Sequence, residues 1–373
     1  MRLTLLAAVL CAACSAPTST TPLTHEAYVW QRQWTPAVQE AAASFDGDGL
    51  TALAAEVRWD GDTPMIAWVD PQVLTSGRAV RVRVPPEGVD VVEALGPVLT
   101  AVSDAAPGTE IHLDMDLPSR RLGNYTAWIT ELKGKVSGPL VITALPTWLD
   151  HAEFAHLVAA ADGVVLQVHW LDPEDPTGPL LSPSAERYVE KMAAFNVPFR
   201  VALPAYGHRI WTRDGRLVGV GSEGDSRPPD VEETRVMADP HAVSALLETW
   251  RVRHPAALTG VVWFRLPTSQ DQMAWPSQTL TAVREGRELV STVQTERVLG
   301  ESGAHQICLR NSGTLSWTPT VVPVPDARLG GGRPGWQWSP ALGGLRPQGG
   351  VPPLLPDETR CIGWVDPEGG DHE

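Results

Sequence analysis

The run His112-Leu113-Asp114-Met115-Asp116-Leu117-Pro118 carries the residues whose types and spacing best suit chemistry. In an extended strand the side chains alternate, so His112, Asp114 and Asp116 share one face and Leu113, Met115 and Leu117 take the other. Three polar groups on an inward-facing row are costly unless they are partnered. Neighbouring carboxylates resist a second negative charge, which raises a pKa and keeps a proton available for general-acid work. Asp116 is expected nearest the pocket, with Asp114 one layer below, and both are read as catalytic. The same acids could instead order the next loop by accepting bonds from Arg120 and Arg121.

Similar groups close other apolar runs. Gln167 and His169 share a face of Val164 to Trp170, Trp148 follows Leu140 to Leu145, and Tyr206 ends Leu203 to Gly207. Trp263 and Arg265 share a face in the last run of this kind. Aromatic rings beside amides and carboxylates suit stacking on sugar rings and bonding to hydroxyls. His112, Trp148, Gln167, His169, Tyr206, Trp263 and Arg265 are therefore read as substrate-binding. Other chemistries lack their patterns: there is no His-Glu-x-x-His, no Gly-x-Ser-x-Gly, and Gly219-Val220-Gly221 lacks the rest of a phosphate loop. No metal or cofactor is expected.

The elements that must position these residues alternate along the chain. Strands are predicted at Tyr28 to Arg32, Leu50 to Trp59, Met65 to Val69, Ala79 to Val84, Glu110 to Leu117, Leu140 to Leu145, Val164 to His169, Arg200 to Tyr206 and Gly260 to Leu266. Helices are predicted at Pro36 to Ser44, Val91 to Ser103, Tyr125 to Val136, Ala152 to Ala160, Ser184 to Phe195, Pro240 to Arg253 and Gln278 to Arg284. Strand followed by helix, repeated, predicts an α/β fold of the (β/α)8 TIM-type over residues 26–285. A doubly wound open sheet is the competitor, but its Gly-rich first turn is missing. Gly207 to Gly224 reads as an inserted hairpin turning at Asp214-Gly215. From residue 286 to 373 short strands between Gly/Pro-rich turns predict a small all-β, sandwich-like domain. The run Leu329 to Pro356 reads either as a long ordered loop or as poorly ordered.

Charge and the chain ends set the context. The 373 residues hold 29 Lys+Arg against 44 Asp+Glu, a net charge of −15, which repels polyanions and makes nucleic acid a poor partner. Fifteen Trp against four Tyr and five Phe imply either a core built around indoles or a cleft lined by some of them. Residues 1–13 have a basic start, an apolar stretch and a small-residue end before Cys14, the pattern of a lipoprotein signal peptide. Cys14 is then the lipidated residue, 14–25 a tether, and the protein a lipid-anchored envelope protein. Its partners would be membrane lipid, through Cys14 acylation (palmitate or a similar chain), and a polysaccharide. The outer membrane, facing periplasm or exterior, is expected if the cell has two membranes. Export permits a disulfide between the remaining cysteines, Cys308 and Cys361.

The leader, His112 to Pro118, Tyr125, Leu140 to Trp148, Val164 to Trp170 and Leu203 to Gly207 together resemble the uncharacterised bacterial family named domain of unknown function 3142, over about Ala27 to Pro267. A fainter resemblance is to the chitinase-like glycosidases of family 18. It implies that Asp114 and Asp116 match that family's spaced acids, Tyr206 a later tyrosine and Trp263 the closing tryptophan. Pro118 stands where that pattern has its proton-donating Glu. The donor role then falls to Asp116 or to a distant carboxylate such as Glu56 or Asp150. Two functions follow: a glycoside hydrolase using strand-end aspartates, or a non-catalytic glycan-binding or envelope-assembly lipoprotein.

Overall fold

The computed structural model describes residues 22–366 except 173, 301, 302, 326 and 328. The lipoprotein leader and Cys14 lie outside the described residues. Eight parallel strands form a ring: β1 (Thr24–Val29), β2 (Gly49–Asp60), β3 (Gly77–Val82), β4 (Glu110–Asp114), β5 (Leu140–Ala144), β6 (Gly163–Gln167), β7 (Phe199–Pro204) and β8 (Leu258–Phe264). Each pairs with the next, and β1 also pairs with β8, Thr24 opposite Gly260, so the barrel is closed. β1 begins at Thr24, inside the segment read as a tether and four residues before the predicted strand.

Helices α1 (Pro36–Ser44), α2 (Val91–Ala105), α3 (Leu122–Leu132), α4 (Phe154–Ala160), α5 (Ala185–Ala193), α6 (Pro240–Arg253) and α7 (Ser277–Glu285) surround the ring. Local chemistry sets several of their ends. Thr35 and Asp239 accept backbone N–H bonds just ahead of a proline at the first helical position, and Asp90 caps α2 through Glu93 N–H. Gly286, at φ 68°, ends α7 in the left-handed region that glycine adopts without strain. The outward sides of the strands meet these helices in one apolar core and the inward sides fill the barrel, which is why all five residues of β5 are buried.

The β2–β3 crossover departs from the strand-helix alternation. In place of a helix it has the strand Thr63–Trp68, antiparallel to residues 55–60 of β2. After β7, the predicted hairpin is present and larger than expected. Strands Gly207–Arg213, Arg216–Gly221 and Glu232–Met237 form a three-stranded sheet whose first turn uses Asp214 and Gly215, both at positive φ.

Beyond the barrel, Val293–Leu299, His305–Asn311, Thr359–Val365 and Gly330–Gly332 make one antiparallel sheet, and Val322–Pro323, Gly344–Pro347 and Trp336–Ser339 another. Ile307, Leu309 and Ile362 from the first meet Val322, Trp336 and Leu345 from the second in a core of their own. Cys308 and Cys361 are register partners on adjacent strands and form a disulfide. Three of these strands lie between residues 329 and 356, so that run is largely ordered structure. Among the described residues no helix is long and apolar enough to cross a membrane.

Candidate functional site

The inner row of β4 runs Glu110, His112, Asp114, and the two ends of that row meet different surroundings. At the base, Arg200 reaches down from β7 and donates to Glu26 and to Glu110, both at 2.6 Å. His112 Nε2 lies 2.9 Å from the same Glu110 oxygen, and Tyr28 OH lies 2.9 Å from His112 Nδ1. Burial alone would push the Glu110 carboxyl up, but the bond from His112 and the Arg200 charge outweigh it and hold the group down at about 2. Burial lowers His112, with Glu110 opposing. The interior must be empty of side chain nearby to fit this network. A Cβ on Gly77 would come within 2.6 Å of Thr51 Oγ1 and 3.3 Å of the His112 ring. His112, read from sequence as substrate-binding, lies in the barrel floor with both nitrogens engaged.

At the upper end, Asp114 is buried and accepts from Thr143 Oγ1 at 2.7 Å, while Arg81 Nε stands 3.8 Å away. Burial, and then the charge of Asp116, push Asp114 up to about 6 against the pull of Thr143 and Arg81. Just past the strand, Leu117 N–H bonds to Met115 C=O at 2.9 Å, a three-residue turn that puts Asp116 at its tip. Asp116 is solvent-exposed on one side. Partial enclosure still raises it, with Arg81 and Arg83 opposing, so both acids of the pair are shifted upward.

A ring of aromatics faces the two acids' end of the barrel. Phe264, at the end of β8, contacts Trp30 at 5.4 Å, Tyr206 at 5.3 Å and His169 at 5.4 Å between ring centres. His169 Nδ1 lies 3.4 Å from Tyr206 OH, and Gln167 donates to the His169 carbonyl at 3.0 Å. Burial holds His169 down at about 3 and pushes Tyr206 up to about 12. The structure thus brings together Asp114, Asp116, Gln167, His169 and Tyr206 at the strand ends.

Three other predicted residues are placed elsewhere or already occupied. Trp148 is fully buried behind β4 and β5, donating to Leu117 C=O and packed on Tyr125 and Phe154. Trp263 is also fully buried, facing outward against His25 and Trp275, because β8 pairs Trp263 with outward Leu203 and leaves Phe264 to face in. Arg265 is taken up by Asp271 at 2.7 Å and Glu223 at 3.6 Å. Of the distant carboxylates, Glu56 is buried and clamped by Arg32 through bonds of 2.7 and 2.8 Å, which lowers its pKa. Asp150 is exposed and bound by Lys191 of α5.

Sequence reasoning missed Phe264, Trp30, Thr143 and Arg81. Period two along β8 marks Phe264 through Val262, a barrel-interior residue, and the same rule marks Trp30 through Tyr28. The inserted sheet joins the rim here: Glu223 accepts from the N–H groups of Gln272 and Met273, and Asp225 acts on Arg32. Two open surface grooves, of about 770 and 420 Å³, lie on the helical belt, away from these residues.

Residues 101–269 match the family model described as Domain of unknown function (DUF3142). The matched segment starts within α2 and ends just past β8, so it holds β4 with both aspartates and the strand ends that carry His169, Tyr206 and Phe264. No curated protein matches the chain. Among solved structures, the chain is similar to the spore cortex-lytic enzyme SleL of Bacillus megaterium QM B1551, at 11% identity and TM-score 0.48, covering 72% of this chain and 75% of that one. It is similar to chitinase ChiA74 from Bacillus thuringiensis at 9% identity and TM-score 0.44, covering 93% and 98%. A GH18 chitinase from Cycas revoluta, in complex with (GlcNAc)3, is similar at 11% identity and TM-score 0.42, covering 65% and 95%.

Proposed function

We propose that this protein acts on carbohydrate at the open end of the barrel and is a glycoside hydrolase in which Asp116 is the general acid. The observation that carries the reading is the acid pair itself. Asp114, buried and held near 6, and Asp116, exposed at the rim, together keep a proton near neutral pH. Asp116 presents that proton to the glycosidic oxygen as the bond to the anomeric carbon breaks. Water then adds to that carbon and returns a proton to the Asp116 carboxylate, while Asp114 supports the charge that develops on the sugar. Phe264, Trp30 and Tyr206 supply aromatic surface for the sugar face.

A second reading has its own support. Glu56 is held by Arg32 and Arg58, and Asp271 and Glu223 by Arg265, so other carboxylates around the mouth are already paired. Such a mouth suits a non-catalytic glycan-binding or envelope-assembly protein. Incubating the protein with peptidoglycan, chitin and exopolysaccharide fragments separates the two. Reducing ends released by the native protein and lost in Asp116→Asn support hydrolysis, whereas binding without release supports the second reading.

We also infer that Cys14 carries the acyl chain of an envelope lipoprotein, in the outer membrane where the cell has one. The support is the apolar, small-residue leader ending at that cysteine. A palmitate analogue fed to cells should label the native chain and not Cys14→Ser. Equal labelling of both removes the anchor.

A further inference from the structure

Two nitrogens at the floor of the mouth have no hydrogen-bond partner among the described residues, Nε2 of His169 and Nε1 of Trp30, and both are closed off from solvent. An unmet buried polar group costs on the order of 1–3 kcal/mol, so its position calls for a reason. Both rings rest on Phe264, each at 5.4 Å between ring centres. Phe264 is only half-buried and otherwise touches the rings of Tyr28 and Tyr206. Phe264 is the ring that packs against both.

The neighbours fix what each nitrogen offers. An indole Nε1 is always a donor. Burial keeps the Tyr206 phenol protonated up to about 12 and the His169 imidazole neutral down to about 3. Among the described residues the one hydrogen-bond partner of Tyr206 OH is His169 Nδ1. Where the phenol donates to that nitrogen, the imidazole hydrogen is left on Nε2. In that tautomer the site has two N–H donors and lacks an acceptor. Burial alone accounts for the state of His169, with no cation contributing. The nearest cations in sequence, Arg32 and Arg265, are already paired with Glu56 and with Asp271 and Glu223, so a carboxylate brought here would lose its water without a free counter-charge.

We propose that this floor is a subsite for an uncharged acceptor oxygen of a sugar, a hydroxyl or an amide carbonyl, with His169 Nε2–H and Trp30 Nε1–H as its donors and Phe264 as the ring packed against both. The subsite names the substrate class of the carbohydrate reading as neutral glycan, and in that respect rests on that reading. Tyr206 acts through His169 and is a positioning residue.

The full chain with 15N in its His and Trp residues is titrated with acetamide and with acetate, acceptors of similar shape and different charge. The imidazole should show the Nε2–H tautomer, and Tyr206→Phe should convert it to a mixture. The Trp30 and His169 N–H signals should move with acetamide and stay with acetate. In parallel, His169→Phe and Trp30→Phe should each weaken binding of neutral oligosaccharides about tenfold, the value of one lost hydrogen bond. Acetamido-bearing and unsubstituted neutral oligosaccharides then separate carbonyl from hydroxyl. An Nδ1–H tautomer, a preference for acetate or uronic-acid glycans, or unchanged affinity in both variants overturns the subsite. Signals that move with acetamide in a protein that binds no glycan would instead remove the carbohydrate reading and leave the subsite standing.

Discussion

At the base of the barrel Glu110 and His112 bond to each other, Glu110 to Arg200 and His112 to Tyr28, and Arg200 also holds Glu26, every bond between 2.6 and 2.9 Å. Further along the same chain, Asp114 and Asp116 meet one hydroxyl at 2.7 Å and a guanidinium at 3.8 Å. Burial raises the carboxyls at both ends, yet they finish apart, Glu110 held down at about 2 by His112 and Arg200 and Asp114 pushed up to about 6. The difference lies in supply. Two carboxylates share a close Arg and an imidazole below, while two carboxylates above compete for weaker partners. A saturated cluster has no proton to exchange and serves to fix the strands. An undersupplied one retains a proton that a ligand can take.

The largest effect should come from the upper end. Asp116→Asn should lower glycan cleavage by about 10²–10⁴-fold with little change in melting temperature. If the rate survives while Asp114→Asn abolishes it, the roles of the two acids exchange. At the lower end, Arg200→Met leaves two part-buried carboxylates without their cation and should cost about 1.5–3 kcal/mol in denaturant unfolding. A loss below about 1 kcal/mol, on the scale of a surface pair, would show that the base is not a saturated cluster. A variant far from both ends is the control: Cys308→Ser opens a disulfide spanning 53 residues and should destabilise the C-terminal sheets by about 2–4 kcal/mol. Cleavage should be unchanged in that variant.

The smallest effect concerns pH and separates the ends by sign. The folded pKa of Asp114, about 6, lies above its ordinary 3.8, so the folded state binds this proton more tightly than the unfolded chain. The stability this gives is present below about pH 4 and is lost as pH rises through 6. Asp114→Asn should therefore gain stability relative to the native protein, on the order of 1–2 kcal/mol, between pH 4 and 7. Glu110 has the opposite sign. Its folded pKa is depressed to about 2, so its contribution is present above the unfolded value near 4.5 and is lost as pH falls toward 2. Unfolding curves at pH 3.5, 5 and 7.5 for Asp114→Asn and Glu110→Gln check both, and shifts in the same direction would end the distinction.

The ring of strands was legible because parallel strands covered by helices are apolar runs broken by capped helical periods. Leu140 to Leu145 and Val164 to His169 needed no tertiary information to be found. Asp114 and Asp116 were legible for the same reason, as charges inside a period-two run. What the pattern could not supply was which inner residues are already occupied. His112 obeys the same alternation as Asp114 one layer lower, and only its contacts with Glu110 and with Tyr28, on a strand distant in sequence, show that it is taken up in the floor. Trp263 and Phe264 show a second limit. Two adjacent aromatic residues occupy opposite faces, and the bulkier one drew attention although the pairing of β8 with β7 turns it outward. The missing crossover helix is a third case, since Met65 to Val69 reads as a strand from sequence, whereas its antiparallel direction is set by pairing.

The way the ring closes also orders events in time. β1 has two neighbours, β2, which follows it closely, and β8, which enters at Thr24 opposite Gly260. The first partner is available as soon as a few dozen residues exist, and the second only after nearly the whole body of the barrel has been made. Until then β1 presents an unpaired strand edge, the kind of surface that recruits other chains. A chain cut short before Leu258 would keep that edge permanently, along with the exposed flank of β7. Such fragments should gather into aggregates as soon as they are released, while loss of the C-terminal sheets alone leaves the ring complete.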